Sequence, residues 1–157
     1  MNEIGTTARK RLKCRRIMAE NVSTATRSST VQAAAEILRD EDIGILPIID
    51  EDGGLVGVLT DRDIVIRAVA GGMDITDTKV GDIMTEELFT ARPDDFVFEV
   101  LRTMGEKQVR RIPIVDEEGI LKGIISMADI ALEMEDEREV AETLEEISSG
   151  AAFWNKN

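Results

Sequence analysis

Apolar residues at 31, 34, 35, 37 and 38 (Val31, Ala34, Ala35, Ile37, Leu38) follow the three-to-four spacing of one helix face. The same rhythm returns at Val97, Val100, Leu101 and Met104. After each of these stretches come two short apolar runs, residues 45–49 and 55–59, then 112–115 and 121–125. Each run is too short for a helix and carries isoleucine, leucine or valine, so the pattern predicts strands. Acidic turns containing glycine, 50–54 and 116–119, join the runs into predicted hairpins. Pro47 and Pro113 fall near a strand's start, where a missing N–H is tolerated. A short extended piece precedes each first helix, at 23–25 and 89–91, with Ser29 or Thr30 and Asp94 or Asp95 as N-caps. A second helix begins near Asp61 and near Met127, and 79–84 reads as a helical turn. The order β-α-β-β-α is written twice.

The two halves are copies. A shift of 66 residues lays Ile17-Met18 on Ile83-Met84, Pro47 to Asp50 on Pro113 to Asp116, and Gly57 on Gly123. The same shift lays Thr60 on Ser126 and Asp63-Ile64 on Asp129-Ile130, and no gap is needed from 17 to 66. A repeat of roughly 50–60 residues buries too little surface to stand comfortably alone, so two copies packed sheet against sheet are expected. The predicted organisation is a basic arm over 1–16, a first repeat over 17–72, a linker over 73–79 and a second repeat over 80–134. An acidic helical extension and an apolar tail follow over 135–157.

Composition narrows the chemistry. Hydrophobic residues are 43% of the 157 but aromatics only 3%, so the core must be aliphatic, with methionine. With 19 basic and 32 acidic residues, the net charge of −13 repels nucleic acid and anionic membranes, and an anionic ligand needs a local cluster of cations. Cys14 is the one cysteine and histidine is absent. That excludes an internal disulfide, a zinc site of ordinary Cys/His ligands, and imidazole acid–base catalysis. No run approaches the ~20 apolar residues of a membrane span, nor is there a leader-like apolar stretch, so the expectation is a cytoplasmic protein with no membrane partner.

The segments GVLTDRD (57–63) and GIISMAD (123–129) share one pattern: glycine, two apolar residues, Thr or Ser, two variable residues, then Asp. By spacing, Thr60 with Asp63 and Ser126 with Asp129 match a capping box at a helix start. These segments, the repeat and its element order resemble CBS domains paired as a Bateman module, over roughly residues 17–134. The layout is similar to that of stand-alone bacterial members.

The resemblance implies an α/β (α+β) fold of two β-α-β-β-α repeats packed through their sheets with pseudo-two-fold symmetry. It implies a non-catalytic regulatory sensor that binds AMP, ADP, ATP or S-adenosylmethionine in the cleft between the repeats. Asp63 and Asp129 would accept from the ribose hydroxyls, Thr60 and Ser126 would reach ribose or phosphate, and Ile45, Val58, Ile112 and Ile124 would wall the adenine. A homodimer, and a client protein to regulate, are further implications.

The copies differ where charge matters. Arg110-Arg111 precede Ile112 in the second copy, where the first has Gly44-Ile45, and Arg62 stands where the second has Ala128. These three arginines are the candidates for attracting phosphate; as solvated surface charges they would do nothing. Capping and ligand binding are compatible roles. If only capping is real, the chain is a ligand-free interaction or dimerisation module whose charged ends contact a partner. An enzyme is not expected, since no activated nucleophile, phosphate loop or metal-ligand cluster is present.

Residues 9–16 hold six basic residues in eight (Arg9, Lys10, Arg11, Lys13, Arg15, Arg16), a solvated arm that would meet the acidic end of the chain. Without an aromatic platform it does not read as a nucleic-acid site. Its cations would lower the pKa of Cys14. From 133 to 146 eight acids oppose Arg138, and Val140, Leu144 and Ile147 keep helical spacing. Gly150 then closes that helix before a tail bearing Phe153 and Trp154, which would dock on a partner or on the chain itself.

Overall fold

The structure, a computed structural model, describes residues 11–133 and 137–148. Arg9, Lys10, Gly150, Phe153, Trp154 and the Val140 side chain lie outside the described residues. The chain has a mixed α/β fold with two small antiparallel sheets. Helix α1 (Val31–Glu41) leads to strands β1 (Ile45–Ile49) and β2 (Leu55–Thr60). Helix α2 follows as one α-helical turn, Asp61–Asp63, passing directly into a π-helical stretch, Ile64–Val69. The second copy gives α3 (Val97–Lys107), β3 (Arg111–Val115), β4 (Leu121–Ser126) and α4 (Met127–Glu133), and α5 (Glu137–Ser148) extends it.

The local reasons are those the pattern announces. Thr30 caps α1 by accepting the Ala33 N–H at 3.1 Å, and Val31, Ala34 and Leu38 are its buried face. Strands β1 and β2 pair with Ile45 opposite Thr60, Leu46 opposite Leu59 and Pro47 opposite Val58. Pro47 has no N–H, but its carbonyl accepts from Ala25, and Ile49 N–H donates back to Ala25 O, so Ala25 makes an isolated parallel bridge to β1. Ala91, Pro113 and Val115 repeat that arrangement. Gly53 and Gly119 turn the hairpins at φ of 84° and 82°, which L side chains rarely adopt.

The chain forms two compact units. Unit 1 comprises residues 1–20, 89–116 and 122–157; unit 2 comprises 21–88 and 117–121. The segment leading into the first copy thus belongs with the body of the second. In unit 1 a 3₁₀ turn, Cys14–Arg16, is followed by a reciprocal pair of hydrogen bonds between Ala19 and Ile124 at 2.9 and 3.0 Å. In unit 2 the turn Val80–Asp82 is followed by the matching pair between Thr85 and Val58 at 2.8 and 2.9 Å. Cys14 and Val80 are the equivalent buried residues of the two turns.

This pairing explains the first glycine of each motif. A Cβ at Gly123 would stand 2.6 Å from Ala19 O, and one at Gly57 would stand 2.9 Å from Thr85 O. Backbone at that distance must move.

Two expectations are corrected. Neither Asp94 nor Asp95 caps α3: Phe96 is the N-cap residue and makes no side-chain bond. The Val97 N–H goes instead to Leu12 O at 2.8 Å, while Asp95 takes the Arg92 N–H. Helix α5 forms as expected and packs on α3, but its stripe does not run through Leu144, which is exposed. Thr143 is buried, and Ile147 packs against the unit 1 core.

Gly123→Ala should lower stability by about 1–3 kcal/mol, because it drives a methyl into backbone rather than into a yielding side chain. Urea unfolding measures this; an unchanged midpoint would show that the leading segment is not seated on β4.

Candidate ligand-binding site

Each unit carries one Thr/Ser–Asp turn where its second strand ends. In unit 2, Thr60 and Asp63 form a reciprocal capping box: the Asp63 N–H donates to Thr60 Oγ1 and the Thr60 N–H to Asp63 Oδ2, both at 3.0 Å. Asp63 is only 8% exposed, and its carboxylate has two further neighbours. Thr85 Oγ1 lies 3.1 and 3.2 Å from its two oxygens, and Arg67 Nη1 lies 3.8 Å from Oδ1. The same Arg67 nitrogen donates to the Ile83 and Met84 carbonyls at 2.9 and 3.1 Å. A buried carboxylate requires such partners. Ile45, half-buried, pairs with Thr60; Val58 is buried on β2, and Arg62 is exposed.

In unit 1 the capping box repeats: the Asp129 N–H donates to Ser126 Oγ at 3.1 Å, and the Ser126 N–H to Asp129 Oδ2 at 3.2 Å. Asp129 and Ser126 are half-buried, as is Ile124. The Met127 N–H donates to Arg110 O at 2.7 Å, which ties the start of β3 to this turn and sets the exposed Arg110 and Arg111 beside it. Ile112 is 1% exposed and packed in the unit 1 core. In register, Arg111 stands where the first copy has Ile45.

Thr85 and Arg67 are the residues that reading the sequence missed. Arg67 was visible as an i, i+4 partner of Asp63. Thr85 was not, because nothing local announces that the opening segment of the second copy lies across the first copy's β2.

The profile of the CBS domain matches residues 14–69 and 80–136. This chain belongs to the CBS-domain family. Its tandem CBS pair is 39% identical over 117 residues to hypoxic response protein 1 of Mycobacterium tuberculosis strain H37Rv, covering 74% of this chain and 81% of that protein. A crystal structure of hypoxic response protein I with two coordinated zinc ions superposes with a TM-score of 0.72 at 38% identity, covering 78% of this chain and 98% of that one. The CBS pair of MJ0100, in complex with 5′-methylthioadenosine and S-adenosyl-L-methionine, superposes at 0.68 with 32% identity over 76% of this chain and 93% of that one. CBSX2 in complex with AMP superposes at 0.69 with 27% identity over 78% and 95%. CBS pairs are regulatory modules.

The CBS pair's basic arm does not lower the Cys14 thiol as expected. Cys14 is wholly enclosed in the unit 1 core, and burial first, then the charge of Asp95, pushes its pKa up to about 12. Among the described residues Lys13 and Arg15 both reach Asp94, Arg15 at 2.6 Å and Lys13 at 3.8 Å. These pairs are exposed and add little stability. Among the described residues no helix is long and apolar enough to cross a membrane.

The buried thiol makes two testable statements. In the native protein a thiol reagent should leave Cys14 unmodified until the chain unfolds. Because the folded thiol keeps its proton to about 12 while an ordinary thiol loses it near 9, stability should fall as pH rises between those values. Cys14→Val, which copies Val80, should unfold with a shallower alkaline slope than the parent. Equal slopes would place the thiol in solvent.

Proposed function

We propose that this CBS pair is a non-catalytic sensor of an adenosyl ligand, AMP, ADP, ATP or S-adenosylmethionine, acting in the cytoplasm. The observation that carries the reading is the Ser126–Asp129 turn of unit 1. There a half-buried carboxylate has accepting capacity beyond its cap, and two exposed arginines stand beside it. A carboxylate oxygen pair accepts two vicinal hydroxyls at once, the chemistry of a ribose. In a chain of net charge −13, Arg110 and Arg111 supply the local positive field that a phosphate or a ligand carboxylate needs. The AMP held by CBSX2 and the adenosyl ligands held by MJ0100 support this ligand class.

Signalling then follows from differential affinity: a ligand that prefers one packing of the module shifts the population toward it, and a client or second subunit reads the change. A homodimer is part of this reading. Its support is the apolar face of α2, where Val65, Ile66 and Val69 are 55%, 54% and 62% exposed.

A ligand-free interaction module is the second reading. It is favoured by Asp63, whose oxygens are already taken up inside unit 2. Thermal unfolding with AMP and with S-adenosylmethionine separates the two. At a hundred times its dissociation constant, a ligand should add about 2.7 kcal/mol of stability. A melting temperature unmoved by any adenosyl ligand contradicts the sensor and supports the interaction module.

A further inference from the structure

Under the 66-residue shift Thr85 falls on Ala19 and Arg67 on Glu133. Both positions face the motif carboxylate in unit 2, and both change character in unit 1. Thr85 and Ala19 make the same reciprocal backbone pair with their strand, so the two copies differ there in the side chain, a hydroxyl and a methyl against neither. In unit 2 the hydroxyl lies on both Asp63 oxygens, with a guanidinium 3.8 Å away. In unit 1 an exposed alanine and an exposed glutamate stand at the two positions, and the Asp129 carboxylate accepts only its capping N–H among the described residues. The turns carry the same net charge, Arg62 and Arg67 against Asp61 in unit 2 and Arg110 and Arg111 against Glu133 in unit 1; the difference is that Arg67 is committed to the Ile83 and Met84 carbonyls, while Arg110 and Arg111 are exposed.

Resting on the sensor reading above, we infer that the two carboxylates have divided their work. Asp129 is the one ribose-binding carboxylate. Asp63 is a latch that ties α2 to the opening segment of the second copy through Thr85. The chain therefore binds one adenosyl ligand. The residue at 19 or 85 decides which turn is open, since a hydroxyl there competes with the ribose for the same oxygens.

Isothermal titration of the full chain with AMP and with S-adenosylmethionine tests this, beside unfolding of the ligand-free variants. The expected stoichiometry is one per chain. Asp129→Asn should weaken binding tenfold or more, since the lost hydrogen bonds are to a charged acceptor. Ala19→Thr, at an exposed position, should install the second copy of the latch and weaken binding in the same direction. Without ligand, Asp63→Asn should lower the melting temperature more than Asp129→Asn. If Asp63→Asn does not fold, Thr85→Val replaces the hydroxyl by a methyl of similar size and should lower the melting temperature where Ala19→Val, at the exposed equivalent position, does not. Two ligands per chain, or binding lost through Asp63 and kept by Asp129→Asn, overturns the division while leaving the sensor reading intact. No binding of either probe overturns both, and equal melting temperatures for the two Asn variants overturn the latch.

Discussion

Thr85 exchanges two backbone hydrogen bonds with Val58, and Ala19 exchanges two with Ile124. These contacts tie each short sheet to the opening segment of the other copy. A two-stranded hairpin has little stability of its own, so a further backbone segment on each is a structural need. The glycines at 57 and 123 follow from it, because the crossing carbonyl leaves no room for a Cβ. So does the seating of Cys14 and Val80 in their cores, since both lie in the turns that deliver these segments. The same contact sets the partner of the motif carboxylate: whatever side chain follows the Ile-Met pair arrives beside it.

That last consequence turns a structural constraint into a functional variable. The two copies fold alike because backbone pairing is indifferent to the side chain at 19 or 85. Ligand chemistry is not indifferent. One copy places a hydroxyl on its carboxylate and an arginine nearby; the other leaves the carboxylate with its cap, with the exposed Arg110 and Arg111 at the adjoining start of β3. On the proposed reading, the side-chain differences at 19/85 and 67/133 make one of two like-folded turns structural and leave the other for a ligand. A sensor needs only one open site to bias its packing.

Local patterns were legible in the sequence. Helix α3 buries the residues its periodicity selected, helix α1 buries Val31, Ala34 and Leu38 and leaves Ala35 and Ile37 half-buried, the strands fall within a residue of the apolar runs, and Thr30 caps as its type and place suggested. What was missed is non-local. Asp94 and Asp95 look like caps, but the Val97 N–H is satisfied from residue 12. Cys14 sits among cations in sequence, yet its side chain is in a core while Arg15 and Arg16 are exposed. Ile112, one residue out of step with Ile45 in register, faces inward, since successive strand residues face opposite sides. Of the candidate site, the Thr/Ser–Asp turns and the Arg110–Arg111 pair were readable from the motif. The roles of Thr85 and Arg67 emerged only once the leading segment was placed on β2.

A crystal structure of the chain grown with AMP tests the central claim most directly. The account predicts the ribose hydroxyls on Asp129, with Thr85 still donating to Asp63. AMP seated on Asp63, with the Thr85 hydroxyl turned away, would contradict it.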